Sequence, residues 1–534
     1  MSTARKIASP DDVQYKLFGE VPGGAQPVRA ISAVDSGRRF VTGDARSIFL
    51  GTTPLEAYLK QTGQVGAFTV ARLLDEQDWR GFEQRYACTG RAPYAPRLML
   101  GLILYGVMQG IHSLRELERL ARLDLGCMWV TGGISPDHAN IGRFIVMHEE
   151  SLTQDFFEAL TRSILKASGS KNRRLAGDGT VIEAACSHYN LLKSEAIKAR
   201  AEAAGNALAA NPDDTAVQQE HQASKQCLKI LEERERARKR SGRSTDTLAV
   251  SGTEPEAMVQ RLKRGRGRAA SCKPSVLANE ERIITALALD PSSETKVVAA
   301  MLDQHARVSG TQADELLLDA GYFDDGVIAA TLARDVSLLC PEGQEPGVTK
   351  ASKVFHKSRF DYDPCTDTYR CPAGQFLVLL KNANATPKKR AHSLYGTDAC
   401  KSCPLRNDCT TMKKRQITRH PEDTERDALR QVMQQPQVRG VFAKRKVMVE
   451  PVFSHLRERQ GLNRFRRKGL GAVKREFALH VMAYNLSRAV ALLRGFFPRF
   501  YGPRNVFQGL SPYLNVFLNF LRPNAAVHYG FRWA

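Results

Sequence analysis

Between residues 282 and 340 the chain alternates between two kinds of pattern. "RIITALALD" at 282–290 is a strand-like apolar run, and residues 294–307 follow with helical spacing. "ELLLDAGY" then returns to a short apolar run, "DGVIAATLA" reads as helix, and "VSLLCP" as strand. Strands that alternate with helices of this length build an α/β sheet. Within the block, "LLLDAGYF" at 316–323 ends three leucines on Asp319, with Gly321 close behind. A carboxylate at the end of a buried strand, backed by a turn, is well placed for catalysis or metal binding. It is equally suited to capping that turn.

A second aspartate stands in a comparable setting. In "RLAGDGTVIEAACS", at 174–187, Asp178 lies between Gly177 and Gly179, just ahead of the β-favouring Thr180-Val181-Ile182. A third acid, Glu450, sits in "RKVMVEPVFSHLRERQGLNRFRRKGL". Between Gln437 and Phe500 there are 15 Lys/Arg and 3 Asp/Glu, so an acid here is unusual. Carboxylates converging from separate elements can hold two divalent metals about 4 Å apart for in-line attack at phosphate. Oxygen ligands suit Mg²⁺ or Mn²⁺, and flanking Arg and Lys would neutralise a phosphate backbone. The charge of the whole chain agrees: 78 Lys plus Arg against 56 Asp plus Glu, a formal +22. That surplus points to a polyanion, DNA or RNA first and a membrane surface second. No signal peptide is visible at the N-terminus, and no run approaches the ~18 apolar residues of a membrane span. The longest candidate, 478–493, contains His480 and Arg488. The expectation is a cytoplasmic protein with no membrane partner.

The 534 residues allow two to four domains. Residues 1–45 are mixed polar and loosely patterned. "APYAPRLMLGLILYGVMQGI" predicts a buried helix entered at a proline. "HSLRELERLARLDLGCMWV" predicts an amphipathic helix whose stripe, Leu114, Leu117, Leu120 and Leu123, faces the core. "SPDHANIGRF" gives a helix start, with Arg143 and His138 near the junction. Short helices with tight junctions suit a helix-turn-helix-like DNA-binding unit over 46–170, and equally a plain helical bundle. Residues 193–240 read as a charged helical hairpin split by Asn211-Pro212-Asp213-Asp214, a solvated arm suited to self-association. A Gly-, Ser-, Lys- and Arg-rich linker is expected over 241–275. Helical character resumes at 422, and the tail at 499–534 is aromatic and basic without an assignable pattern.

Five of the 11 cysteines, Cys365, Cys371, Cys400, Cys403 and Cys409, cluster in one stretch. Cys400-x2-Cys403 with Cys409 and Cys371 is a candidate tetrahedral Zn²⁺ site that would tie down an insertion with little apolar content. Cys365 and His392 are spare candidates, and reduced thiols are the other reading. His188 and His455, near the acids in sequence, are expected on the surface or facing DNA rather than as ligands.

Taken together, "GDGTVIEA", "LLLDAGYF" and "VEPVFSHLRERQGLNRFRRKGL" resemble the three acidic blocks of bacterial insertion-sequence DDE transposases, in the subgroup with a cysteine-rich insert. "YAPRLMLGLILYGVMQGIHSLRELERL" with "PDHANIGRF" is similar to the N-terminal helical domain of those enzymes. "YRCPAG" and "CKSCPLRNDC" resemble their cysteine insert. The resemblance runs in order over roughly residues 50–495. It implies an α/β fold with an RNase H-like catalytic core at 171–498, a mixed sheet with helices on both faces. Insertions fall at 193–250 (charged helices) and 356–415 (cysteine-rich). It further implies that Asp178, Asp319 and Glu450 hold Mg²⁺ or Mn²⁺. The family's Tyr, Arg, Glu, Lys signature is altered here: Ala443 stands for Tyr, Lys446 for Arg and Arg457 for Lys. The basic exchanges keep charge but not hydrogen-bond geometry. Lys446, Arg457, Arg464, Arg466, Arg467, Lys468 and Arg143 are the expected DNA contacts. The implied activity is cleavage and strand transfer at element ends by a homo-oligomer on DNA. The rivals are a nuclease of the same fold that never joins, and a DNA-binding protein whose acids are structural.

Overall fold

The computed structural model describes residues 30–33, 38–187, 190–262, 267–343, 355, 357–386 and 390–493. Four of the N-terminal helices matter below: α1 (Pro96–Met108), α2 (Leu114–Leu123), α3 (His138–Met147) and α4 (Phe156–Ser168). Proline opens α1, where its missing N–H costs nothing, and the helix is buried on almost every face. Asp137 caps α3 by accepting from the Asn140 N–H at 2.7 Å. The leucine stripe of α2 does not all reach the core. Leu117 is 2 % exposed, whereas Leu123 is 62 % exposed. A spacing of three falls short of a full helical turn by about 60° at each step, so the stripe winds off the buried face.

The charged hairpin is helical as read: α5 (Ser194–Ala210) and α6 (Thr215–Arg240), the latter capped by Asp214. It has a small core of its own, where Ile197, Cys227 and Leu231 meet Leu248 and Val250.

The main sheet contains β1 (Arg174–Gly179), β2 (Arg268–Asn279), β3 (Ile284–Asp290), β4 (Glu315–Leu317) and β5 (Ser337–Leu339), in the order β3-β2-β1-β4-β5. Pairing is antiparallel from β3 to β1 and parallel from β1 to β5. The expected linker at 241–275 is partly strand. Ala249–Ser251 pairs with Leu191–Lys193, Met258–Arg261 pairs with β2, and β2 runs 12 residues through the middle of the sheet. Its buried side chains include Ser271, Ser275 and Asn279, and it contains Pro274. Polar residues and a proline hide a central strand from pattern reading. Here the Pro274 carbonyl still accepts the Thr180 N–H at 3.0 Å.

Helices cover both faces of this sheet. On one face, α7 (Val298–Ser309) and α8 (Asp325–Leu332) pack on Leu175, Leu277, Leu316 and Leu318. On the other, a single large core joins Ala176, Val276 and Leu317 to the N-terminal helices and to α10 (Pro436–Ser454) and α11 (Leu470–Leu493). The shorter α9 (Asp423–Gln434) precedes them. α11 is buried along nearly its whole length, which accounts for its hydropathy without a bilayer. No helix among the described residues is long and apolar enough to cross a membrane. Asn485, at 0 % exposure, donates to the Ile284 carbonyl at 2.8 Å and accepts its N–H at 2.9 Å, fastening α11 to the edge strand β3.

The cysteine-rich insertion forms a separate antiparallel meander, β6 (Asp361–Asp363), β7 (Thr368–Arg370), β8 (Phe376–Ala383), β9 (His392–Gly396) and β10 (Gln416–Arg419). It has a small core of its own, made by Phe360, Tyr369, Leu377, Tyr395 and Ile417. The tail at 499–534 and His188 lie outside the described residues.

Candidate active site

The register of the parallel strands brings two acids together. Ala176 of β1 lies opposite Leu317 of β4. Two residues further along come Asp178, still within β1, and Asp319, just past the end of β4 at the cap of the following turn. Asp178 is in the strand itself rather than ahead of one, and Thr180-Val181 follow it outside β1. Both flanking glycines are closely packed by neighbouring side chains. A side chain at Gly177 would run into Leu318 and Leu277, and one at Gly179 would meet the Glu294 carboxyl carbon at 2.7 Å. Asp319 also caps the turn after β4, accepting from the Gly321 N–H at 2.9 Å. Capping the turn and facing Asp178 are therefore compatible.

A buried arginine joins the pair. Arg445 projects from α10, and its Nη2 lies 3.2 Å from Asp178 Oδ1 and 3.5 Å from Asp319 Oδ2. Sharing one nitrogen puts the two carboxylates no more than about 7 Å apart. The Arg445 side chain is 8 % exposed, against 22 % for Asp178 and 46 % for Asp319. Burial pushes the Asp178 carboxyl up to about 6; Arg445 and the Gly179 N–H oppose the rise, and Asp319 and Glu294 add to it. Sequence reading missed both Arg445 and Glu294. Arg445 was hidden in a run of like charges, "KRK", and Glu294 in the polar turn "DPSSETK".

Glu450 is also on α10 but is exposed. Five residues from Arg445, it points about 140° away round the helix. The acids acting most strongly on Asp178 are Asp319 and Glu294.

The expected DNA contacts divide. Arg457 donates from Nη2 to Thr180 Oγ1 and, at 2.8 Å, to the Val181 carbonyl. Arg464 donates to the carbonyls of Ala184 at 3.2 Å and Cys186 at 2.6 Å. These two guanidiniums tie the segment after α10 to the chain just past Asp178. Lys446, Arg466, Lys468 and Arg143 are exposed, and Arg467 is half-buried. His455 is not a surface group: it is half-buried, edge-on to the Tyr484 ring at 5.1 Å, and burial lowers its pKa.

In the insertion, Cys371, Cys400, Cys403 and Cys409 line one cavity of about 20 Å³, room for roughly one water-sized atom. Burial raises the Cys409 thiol, and Cys400, Cys371 and Cys403 raise it further, while Arg415 opposes. Each of the four is a free, partly buried thiol. Cys365 and His392 are not among the lining residues. Among the described residues, no group of three or more His, Cys, Asp or Glu is placed to hold a metal ion as it stands.

Two family models match the chain. A transposase DDE domain matches residues 370–490, and a DUF772 transposase domain matches 67–146. Both are transposase domains. Together they support an insertion-sequence DDE transposase. The first match includes the four cysteines, Arg445 and Glu450, and stops short of Asp178 and Asp319. The second covers α1, α2 and most of α3. No curated protein matches the chain. Transposases bind DNA, and DDE transposases generally use a divalent metal.

Proposed function

We propose that this chain cuts DNA at the ends of an insertion sequence and joins them to a target, on an RNase H-like core whose metal ligands are Asp178 and Asp319. The observation that carries this reading is the acid pair itself: one carboxylate in β1 and one just past the end of the adjacent β4, sharing one buried cation. The donor set fits a hard divalent ion, because both groups are oxygen ligands and both already face a positive charge. When bound, Mg²⁺ or Mn²⁺ supplies the charge that phosphoryl transfer requires.

The chain's own residues have distinct duties. Asp178 and Asp319 would hold the divalent metal, whose positive charge would then position the reacting phosphate. Arg457 and Arg464 keep the backbone after Asp178 in place. Lys446, Arg466 and Lys468, being exposed, are suited to track phosphates on either side of the scissile bond. The cysteines of the insertion are suited to structural Zn²⁺, which would draw their four sulfurs round one point.

Glu450 is the proposed third acid, and its helix would have to shift to bring it in. A second candidate is Glu294, favoured by its nearness to Gly179, where an added Cβ would meet its carboxyl carbon, and by its charge acting on Asp178. Glu450→Gln and Glu294→Gln, assayed on the same element-end DNA with Mg²⁺, separate the two. The acid that matters loses cleavage while binding persists. Joined products distinguish a transposase from a nuclease of the same fold, and any metal-dependent cleavage excludes a purely DNA-binding role.

A further inference from the structure

Arg445 has a peculiar environment. It is the buried member of a basic triplet, with Lys444 and Lys446 on either side exposed. Its Nη2 faces both aspartates at ion-pair distance, yet neither Nη2 nor Nε has a hydrogen-bond partner among the described residues. The contact is therefore a matter of charge rather than of directional bonding. Without it, two acids no more than about 7 Å apart would share a half-buried site with no counter-ion between them. An arginine cannot be relieved of its proton at any ordinary pH, so the charge leaves only if the side chain moves.

We infer that Arg445 is an internal counter-cation that holds Asp178 and Asp319 in place and competes with a divalent metal for the same carboxylate oxygens. The inference rests on the reading of this pair as metal ligands. Arginine assembles the pair before metal arrives, and metal entry displaces the guanidinium toward solvent or toward a DNA phosphate. The arrangement makes the site poor at holding metal until something else takes the arginine's charge.

The test uses the full chain and Mn²⁺ alone, with free Mn²⁺ followed by electron paramagnetic resonance. Arg445→Gln is expected to bind Mn²⁺ at least about tenfold more tightly than the unaltered protein, and Asp178→Asn in the same background to abolish that binding. A residue with a merely structural role would weaken metal binding when removed. Thermal unfolding gives a second readout. Arg445→Gln should unfold at a lower temperature than the parent without metal and regain most of the difference with Mn²⁺. Arg445→Lys, which keeps the charge, guards against a misfolded variant and should fall between the two in affinity. Equal or weaker Mn²⁺ binding by a natively folded Arg445→Gln overturns the inference alone. Absence of any Asp178-dependent Mn²⁺ binding in all of these proteins overturns the metal-pair reading beneath it.

Discussion

The acid pair and the cysteine cluster are assembled by different means. Asp178 in β1 and Asp319 at the end of the neighbouring β4 are brought close by strand register over a large shared core, so their approach is a by-product of folding. Cys371, Cys400, Cys403 and Cys409 sit on loops and short helical segments beside a small meander with a minor core. The first site brings two carboxylates together on an arginine before any ligand arrives, with its third acid still to be supplied. The second gathers thiols without bringing them into a ligating arrangement. A pair built on a sheet is pre-formed, whereas a cluster built on loops has to be completed by what it binds.

The strongest way to break this contrast is at the acids. Asp319→Asn should lower Mg²⁺-dependent cleavage by roughly 10³-fold or more with the fold intact, as judged by circular dichroism. Retained cleavage would make Asp319 a turn cap only. At the cysteines, Cys403→Ser should reduce Zn²⁺ affinity by about 10²-fold and loosen the insertion, leaving the main core folded. Zinc analysis with limited proteolysis would check both, and an unchanged proteolytic pattern would show that the insertion stands without metal.

Acid should separate the regions too. Burial lowers His148 and His305 to about 4 and, helped by His112 and Arg466, His480 to about 3. All three lie outside the insertion. Each stays neutral in the fold but takes up a proton when unfolded below about 6.5, so the unfolded state binds more protons. Their contribution is present above about 6.5 and is lost as pH falls toward the folded values, by up to about 1.4 kcal/mol per pH unit for each. Denaturant titration from pH 7 to 5 would measure it, and His305→Gln should flatten the slope. The smallest effect expected is at Arg457. Arg457→Ala should lower cleavage about tenfold with little change in the salt dependence of DNA binding, because its guanidinium holds Thr180 and Val181. A drop of one unit in the salt slope would return it to the phosphate contacts.

Much of this was legible in the sequence where one residue pattern decides one element. The apolar run ending on Asp319, the proline entry to α1 and the Pro-split charged hairpin each became the expected structure. What escaped depends on partners distant in sequence. Arg445 gains its importance only from two strands more than a hundred residues earlier in the chain. Glu294 does so only because Gly179 lets it approach. β2 escaped because Ser271, Ser275 and Pro274 look like linker until strands close on both sides. The α2 stripe leaves the core by Leu123 because a spacing of three does not hold one helical face.

The most direct test of the central claim combines the purified chain, Mg²⁺, element-end DNA and a supercoiled target. The unaltered protein should produce metal-dependent cuts at the element end and covalently joined target products. Asp178→Asn should bind the same DNA and give neither. Cleavage and joining by Asp178→Asn at the unaltered rate would contradict the assignment of the acid pair as the catalytic centre.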